Sequence, residues 1–220
     1  MPVTVKLVLG GTFDPCHIGH INSARALMEL FPGSEMVLVP SKTPPHRDKP
    51  SASPEQRFDM LRLATADVPG LECDNCELGR EGQSYTFDTL AGYRRVMGED
   101  PLVFVMGSDA WVTLPSWYHW RQLCDLSHLL VMTRPGGNIL EEPAELKEWA
   151  QSRRVRETDQ LLLAAAGLIC HVTLPQYAVS ATEVREAVSR GESTKDMLHP
   201  DVADYIARHQ LYLDNDNHGK

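Results

Sequence analysis

The sequence is short of cationic residues. It has 21 lysines and arginines against 30 aspartates and glutamates, and its formal net charge is −9. Non-specific binding to DNA or RNA requires many lysines and arginines on one face, so this balance argues against a nucleic-acid partner. A small substrate that carries phosphate is still compatible with the charge. Its site must then be built from a few local cations and from backbone N–H groups.

The sequence also lacks a segment that could cross a membrane or direct secretion. Its longest strongly apolar run, residues 161–170, is shorter than the roughly 20 residues that a spanning helix requires. The first nine residues lead into a Gly-Gly turn without a basic leader or a small-residue cleavage site. The five cysteines are an odd number in a chain long enough to bury an adequate core, which favours reduced thiols. We therefore expect a cytoplasmic protein without a membrane partner.

Strand-like and helix-like patterns alternate along the chain. The strand-like segments are residues 3–9, 36–39, 71–78, 102–106, 129–133 and 168–174. The helical segments are residues 18–30, 53–66, 86–96, 142–160, 180–190 and 200–209. This alternation predicts an α/β fold with an open, mostly parallel sheet and helices on both faces. We expect one domain, residues 1–220, whose last part from about residue 176 forms a small helical appendage.

The strongest functional signal lies between the first strand and the first helix. Residues 10–20 read GGTFDPCHIGH. Gly10 and Gly11 let the backbone approach a ligand, and the helix start offers N–H groups and a positive dipole end to a phosphate. His17 and His20 share one face of the first turn, where two imidazole N–H donors could hold a phosphate oxygen. Alternatively, they are half of a metal site without further ligands at the usual spacing, or a solvent-facing pair.

A second candidate anion site opens a late helix. Residues 180–185 read SATEVR. Ser180 and Thr182 place hydroxyls and backbone N–H groups at a helix start, and Arg185 lies within about one turn of them, so it can reach the same anion. Alone, this segment would be an ordinary capping box with a surface arginine. Together with residues 10–20, it predicts that both motifs hold one triphosphate.

The two motifs resemble those of a known family. Residues 11–20 match the signature Gly-Thr-Phe-Asp-Pro-x-His-x-Gly-His of the HIGH-superfamily nucleotidyltransferases, and residues 179–185 are similar to the family's Ile/Val-Ser-x-Thr-x-x-Arg. The likeness is to the branch that contains the nicotinate-nucleotide adenylyltransferases of NAD biosynthesis, and it covers nearly the whole chain. It implies a Rossmann-like fold of the nucleotidyltransferase type. It also implies adenylyl transfer from ATP to nicotinate mononucleotide, with release of pyrophosphate.

The resemblance implies catalytic roles for His17 and His20 at the α-phosphate of ATP. Its implied ATP site combines both motifs with a Gly-x-Asp after the fourth strand: Gly10, Gly11, Thr12, Phe13, Gly107, Asp109, Ser180, Thr182 and Arg185. A carboxylate after a strand can accept bonds from sugar hydroxyls, although Asp109 could also be a simple helix cap. Mg²⁺ would accompany ATP, held largely by water and nucleotide rather than by protein ligands.

The resemblance also implies an acceptor site. Its members come from a Pro-Pro-His-Arg loop, a Ser-Tyr-Thr segment, a Trp-Tyr segment and an arginine after the fifth strand: Lys42, His46, Arg47, Ser84, Tyr85, Thr86, Trp117, Tyr118 and Arg134. Trp117 would stack on the pyridine ring, and backbone N–H groups near Thr86 and Tyr118 would bind the carboxylate that distinguishes nicotinate from nicotinamide. The alternatives are a mobile basic loop, and core packing for Trp117 and Trp120.

Other interpretations stay open. An adenylyltransferase for nicotinamide mononucleotide or phosphopantetheine, or a cytidylyltransferase, would resemble this chain in its phosphate motifs. Residues 17–20 also spell the HIGH motif of class I aminoacyl-tRNA synthetases, which the acidic charge and short chain oppose. A nucleotide sensor could keep the pocket without catalysis. Cys73 and Cys76 form a lone C-x-x-C, whereas a zinc site would need a second pair. The sequence leaves both a monomer and a homodimer open.

Overall fold

Seven parallel strands form one open sheet. The computed structural model describes residues 5–42, 50–80, 82–133, 141–175 and 177–213. The strands in this part are β1 (Lys6–Gly11), β2 (Glu35–Pro40), β3 (Leu71–Cys73), β4 (Leu102–Gly107), β5 (His128–Thr133), β6 (Arg154–Val155) and β7 (Ile169–Thr173). Their order is β3-β2-β1-β4-β5-β7-β6, and every neighbouring pair is parallel. The predicted open parallel sheet is confirmed.

Helices connect and follow these strands. In the described residues they are α1 (Ile18–Leu30), α2 (Pro54–Thr65), α3 (Thr86–Met97), α4 (Ser108–Thr113), α5 (Leu123–Leu126), α6 (Ala144–Ala150), α7 (Ala181–Ser189) and α8 (Pro200–Arg208). Short 3₁₀ helices occur at Leu114–Ser116, Trp120–Gln122 and Thr158–Leu163. The side chains of Ser53 and Ser180 cap α2 and α7 in capping boxes. None of these helices is both long enough and apolar enough to cross a membrane.

The sheet buries an apolar layer on each face. Leu7 of β1 lies in the layer covered by α1, α2, α7 and α8, whereas Val8 lies in the layer covered by α3, α4 and α6. Val105 and Phe104 of β4 divide between the two layers in the same way. Successive side chains of a strand point to opposite faces, so a strand covered on both sides must be apolar almost throughout. The aliphatic runs of β1, β4 and β5 meet that requirement.

Two predicted elements are shorter than expected. The strand predicted over residues 71–78 ends at Cys73, because Asp74 Oδ1 accepts a bond from the Cys76 backbone N over 2.8 Å and turns the chain. The helix predicted over residues 142–160 ends at Ala150. Beyond it, the chain pairs with β7 as β6, and Arg153 O accepts a bond from Ile169 N over 2.9 Å. Pairing at the sheet edge therefore overrides local helix propensity here.

The last two helices pack on the layer that also contains α1 and α2. Val184 of α7 and both Val202 and Ile206 of α8 are buried in that layer. The α8 helix lies against α2. The boundary expected near residue 176, between a nucleotidyltransferase domain and a helical appendage, stays a prediction.

Candidate functional site

A cleft of about 2450 Å³ opens beside the carboxyl ends of the central strands. β1 lies between β2 and β4, so the chain changes direction across the sheet at the β1–β4 boundary, where open α/β sheets bind ligands. The structure brings together here the predicted residues Gly10, Gly11, Thr12, Phe13, His17, His20, Ser84, Tyr85, Thr86, Gly107, Asp109, Trp117, Tyr118, Ser180, Thr182 and Arg185. Five segments of the sequence therefore line one cleft.

The two histidines of the first motif lie against each other at the start of α1. Their rings stack with centroids 3.7 Å apart and planes inclined by 27°. The backbone N of His17 donates to His20 Nδ1 over 3.2 Å. Because Nδ1 accepts this bond, a neutral His20 carries its proton on Nε2. That N–H is a suitable donor to a phosphate oxygen in the cleft.

Two glycines permit close approaches around the cleft. A Cβ at Gly19 would lie 3.0 Å from His17 Nδ1 and 3.0 Å from Val179 Cγ1, so a larger residue would push the first motif away from the segment before α7. A Cβ at Gly107 would lie 2.5 Å from Asp109 Oδ1. The Asp109 carboxylate therefore lies directly over the end of β4, in reach of a ligand at that strand end.

Arg185 joins the late helix α7 to the loop of the first motif. Its Nη1 donates to the Asp14 carbonyl oxygen over 2.7 Å, and its Nη2 donates to Thr182 Oγ1 over 3.2 Å. Ser180 Oγ accepts from the Glu183 backbone N over 3.2 Å at the N-cap. The segment is therefore a capping box, and its arginine reaches the loop of the first motif.

A buried arginine that the sequence analysis missed holds two loops of the cleft together. Arg57 of α2 is 0% exposed. Its Nη1 donates to the Thr12 carbonyl oxygen over 2.6 Å, and its Nη2 donates to the Lys42 carbonyl oxygen over 3.0 Å. Burial lowers the pKa of this guanidinium, and the nearby Asp14 carboxylate offsets part of that shift. Arg57 thus places a positive charge directly behind the Thr12 loop.

A buried carboxyl supports the segment that precedes α3. Glu77 Oε1 accepts from Thr89 Oγ1 over 2.7 Å, and Arg80 Nη1 donates to the same hydroxyl over 2.8 Å. Ser84 Oγ donates to the Glu77 carbonyl oxygen over 3.1 Å. Burial raises the pKa of the Glu77 carboxyl, whereas the Thr89 bond and the Arg80 charge lower it in part. These bonds hold Ser84 and its neighbours at the cleft.

Aromatic rings line the same end of the cleft. Tyr85 and Tyr118 stack with centroids 4.5 Å apart and planes inclined by 29°. Trp117 lines the cleft and meets Phe104 of β4 at 6.3 Å between centroids. Trp120 is buried among core residues. The two tryptophans of this segment therefore differ: Trp117 faces the cleft, and core packing accounts for Trp120.

The cleft extends beyond the predicted residues towards β7. Trp111 Nε1 donates to Glu142 Oε1 over 2.8 Å, and Arg154 forms an ion pair with the same carboxylate. His171 of β7 meets Trp111 edge-on, with centroids 5.4 Å apart. Burial lowers the pKa of His171, and Arg154 lowers it further. No local motif marks these residues, because they come from separate elements of the fold.

Four predicted residues are not part of the described cleft wall. His46, Arg47 and Arg134 lie outside the described residues. Lys42 is described, but it does not line the cleft in that part of the structure. Its ammonium donates instead to the carbonyl oxygen of Arg80. It therefore contacts the segment before α3 rather than the first motif.

Within the part of the chain that the structure describes, the cysteines do not assemble a metal centre. In the described ranges, no group of three or more histidine, cysteine, aspartate or glutamate side chains could hold a metal ion. Burial raises the pKa of the Cys73 thiol and raises that of Cys76 to about 11, so both are thiols at neutral pH. Cys16 is buried, and burial raises its thiol pKa far above the usual range. None of the three has the lowered pKa of a reactive cysteine.

Comparison with known proteins relates the chain to one group of enzymes. A family model described as cytidylyltransferase-like matches residues 8–187. The chain is 39% identical over 209 residues to a "probable nicotinate-nucleotide adenylyltransferase" of Idiomarina loihiensis, an alignment that covers 95% of this chain and 100% of that protein. It is 37% identical over 210 residues to the protein of the same name from Shigella boydii, with 95% and 99% covered.

A solved structure with low sequence identity has a similar fold. It is the Plasmodium falciparum nicotinic acid mononucleotide adenylyltransferase complexed with NaAD, which gives a TM-score of 0.70 at 15% identity. The match covers 95% of this chain and 97% of that one. It supports the Rossmann-like arrangement of the sheet and helices.

Proposed function

Because the chain belongs to the cytidylyltransferase-like family and, within it, to the nicotinate-nucleotide adenylyltransferases, we propose that its cleft transfers the adenylyl group of ATP to nicotinate mononucleotide. The product is nicotinate adenine dinucleotide, and pyrophosphate leaves. One observation carries this proposal: the first and last motifs line one cleft, with Arg185 bonded to the loop that leads to His17. Two distant segments thus offer phosphate donors at one place.

The reaction is a direct displacement that requires no protein nucleophile. A phosphate oxygen of nicotinate mononucleotide attacks the α-phosphorus of ATP and forms a new P–O bond. The bond from the α-phosphorus to the bridging oxygen breaks, and that oxygen leaves with pyrophosphate. The protein contributes by aligning the reactants and by stabilising the charge on the phosphate oxygens.

The cleft residues divide into phosphate and adenosine contacts. His17 and His20 donate to the α-phosphate, assisted by the loop of Thr12 and Phe13. Arg185 stabilises the leaving pyrophosphate. Ser180 and Thr182 are the further proposed contacts of the pyrophosphate, and Gly107 and Asp109 are those of the adenosine. Gly10 and Gly11 let the backbone approach ATP. Support comes from the shared cleft and from α1 and α7, which both begin there and present backbone N–H groups.

The aromatic end of the cleft is the proposed acceptor site. Trp117 offers its indole face to the pyridine ring. The α3 helix begins at Thr86, so its first N–H groups can bind the nicotinate carboxylate together with the backbone near Tyr118. Ser84 and Tyr85 complete this wall. Lys42, His46, Arg47 and Arg134 remain proposed acceptor contacts on the family resemblance alone.

Mg²⁺ is the metal ion that we propose to accompany ATP. The cleft lines its phosphate region with imidazole, hydroxyl and guanidinium donors, which suit phosphate oxygens rather than a cation. Mg²⁺ would therefore be held by ATP phosphates and water, and it would neutralise phosphate charge during the transfer.

We also retain the proposals about compartment and assembly. The cytoplasm fits the five cysteines, all of which are free thiols, since reducing conditions preserve them. A monomer and a homodimer both remain compatible with the sequence. Sedimentation equilibrium of the purified protein would distinguish them.

A substrate panel tests the activity. Pyrophosphate release would be measured with ATP and, in turn, nicotinate mononucleotide, nicotinamide mononucleotide and phosphopantetheine, and with CTP in place of ATP. We expect the highest kcat/KM with ATP and nicotinate mononucleotide. Faster turnover of another acceptor would reject the proposed substrate. Tight ATP binding without pyrophosphate release from any pair would identify a nucleotide sensor instead.

A further inference from the structure

The end of the described chain returns to the first motif. After α8, the residues Gln210 and Tyr212 adopt left-handed backbone conformations, with φ of 52° and 62°. Such conformations are unfavourable for residues other than glycine and persist where surrounding contacts hold them. The Tyr212 hydroxyl donates to Asp14 Oδ1 over 2.8 Å, across 198 residues of sequence. These left-handed conformations thus place the Tyr212 hydroxyl against the loop between β1 and α1.

Asp14 is a junction between four parts of the structure. Its side chain is part of a residue only 6% exposed. Its carboxylate accepts from the Ser51 backbone N over 2.8 Å, from the Ala52 backbone N over 3.1 Å and from Tyr212. Its carbonyl oxygen accepts from Arg185 over 2.7 Å. Asp14 therefore ties the first motif to the segment before α2, to α7 and to the end of the chain.

The surroundings of this junction keep the Tyr212 hydroxyl protonated, so that it donates to Asp14. Burial raises the pKa of Tyr212, and the Asp14 carboxylate raises it further, while Arg185 and Arg57 oppose the shift. Tyr212 therefore stays protonated at physiological pH. Arg57 also holds the carbonyl of Thr12, two residues before Asp14. Arg57 and Tyr212 thus both hold this loop, and neither of them lines the cleft in the described structure.

We propose that Tyr212 is a positioning residue for adenylyl transfer, which acts by fixing Asp14. Tyr212 does not line the cleft in the described structure, so it acts through other residues. Fixing Asp14 places Phe13, whose own φ of 49° requires support from its neighbours, and aligns the carbonyl that orients Arg185. The proposal rests on the proposed function of the cleft.

A second tyrosine of the same region offers a matched control. Tyr205 of α8 donates its hydroxyl to Asp59 Oδ2 of α2 over 3.0 Å. This is also a tyrosine–aspartate bond from the C-terminal helical region, but Asp59 makes no contact with the first motif among the bonds described. If the bonds of this region only anchor the chain end, removing either hydroxyl should have the same effect.

The test compares Tyr212→Phe with Tyr205→Phe. Pyrophosphate release would be measured with ATP and nicotinate mononucleotide, at a temperature where circular dichroism shows each variant folded. Because a hydrogen bond to a charged group is lost next to the reacting loop, we expect kcat of Tyr212→Phe to fall about tenfold. Its KM for nicotinate mononucleotide should stay within about twofold, since the substitution does not touch the proposed acceptor site around Thr86 and Trp117. Tyr205→Phe should retain the wild-type kcat.

Equal kcat values in the two variants would overturn the proposal. A wild-type protein that releases no pyrophosphate would instead reject the proposed function. In that case, hydrogen exchange of the backbone amides of residues 10–17 decides: Tyr212→Phe should raise their exchange and Tyr205→Phe should not. Unchanged exchange in Tyr212→Phe would overturn the positioning role independently of any activity.

Discussion

The hydroxyl of Thr89 offers a sharp test of how the segment that precedes α3 is held at the cleft. It donates to the buried Glu77 carboxylate over 2.7 Å and accepts from Arg80 over 2.8 Å. Thr89→Val keeps the shape of the side chain and removes both bonds. Thr89→Ser keeps the hydroxyl and removes only a methyl group. The pair of variants therefore separates the hydrogen bonds from the packing.

The free energy of unfolding that Thr89→Val should lose is large for the removal of one hydroxyl group. A hydrogen bond to a charged group contributes about 1.5–3 kcal/mol, and Arg80 can recover part of its loss from water because it is not fully buried. Thr89→Val should therefore lower the free energy of unfolding by about 2–4 kcal/mol at neutral pH. Thr89→Ser should lower it by about 1 kcal/mol, the value for one buried methyl group.

The loss of unfolding free energy in Thr89→Val should also change with pH, in a direction that the pKa of Glu77 determines. The folded-state pKa of Glu77 is raised, mainly by burial, so its contribution to stability is present below its ordinary pKa and declines as pH rises through the folded pKa. Thr89→Val removes the bond that lowers this pKa, so the folded pKa rises further. The deficit of the variant should therefore be larger at about pH 8 than at about pH 5.

Urea unfolding followed by circular dichroism at both pH values would measure these differences. The KM for nicotinate mononucleotide of Thr89→Val should rise, because Glu77 also fixes Ser84 at the cleft. Equal destabilisation by Thr89→Val and Thr89→Ser would refute the hydrogen-bond reasoning. A deficit that does not change with pH would show that the Glu77 carboxylate is not the group left without its donor.

Two further variants probe the chemistry and the core. His20→Ala should lower turnover at least about a hundredfold, the scale for losing one preorganised donor, and near-normal turnover in a variant folded by circular dichroism would contradict its role. His128 is buried, with Nε2 bonded to Ala164 O over 2.8 Å and Nδ1 accepting from Leu168 N over 3.1 Å. Burial lowers the pKa of His128, so the stability it contributes is present above its ordinary pKa and is lost as pH falls below about 6.5. In His128→Gln, the unfolding free energy should vary less between about pH 7.5 and pH 5; an unchanged slope would exclude His128 as its cause.

The features that could be predicted are those determined by residues close together in the sequence. The α1 helix occupies Ile18–Leu30 as expected, because the apolar spacing and the residues that end it are local. The same is true of the two serine caps and of the motifs that carry His17 and Arg185. The parallel sheet followed from the alternation of strands and helices. The helix predicted over residues 142–160 forms only at Ala144–Ala150, because Arg154 and Val155 pair with β7, whose position only the fold decides.

The missed residues share a dependence on distant contacts. Nothing in the α2 sequence distinguishes Arg57 from a surface arginine, since its burial results from two loops that close over it. In the sequence, Glu77 does not differ from the other acidic residues, because only the fold brings Thr89 into hydrogen-bond distance of it. Trp111 and Glu142 become neighbours only when α4 meets the segment before α6. The sequence therefore predicted many of the residues that line the cleft, but neither the lining residues Trp111 and Glu142 nor the supporting Arg57.

The acidic composition is compatible with an anion-binding cleft because, in the described residues, Arg57 and Arg185 bond to neutral acceptors, not to carboxylates. Arg57 and Arg185 donate to the carbonyl oxygens of Thr12 and Asp14 and to a hydroxyl, so these bonds orient the guanidiniums without neutralising them. The Asp14 carboxylate is satisfied by backbone N–H groups and a tyrosine hydroxyl. Since charges more than about 10 Å apart are largely screened by salt, the net charge of −9 matters little inside the cleft. The surface can therefore repel large polyanions, while Arg185 at the cleft, with Arg57 behind the Thr12 loop, supplies the local positive charge that the proposed triphosphate site requires.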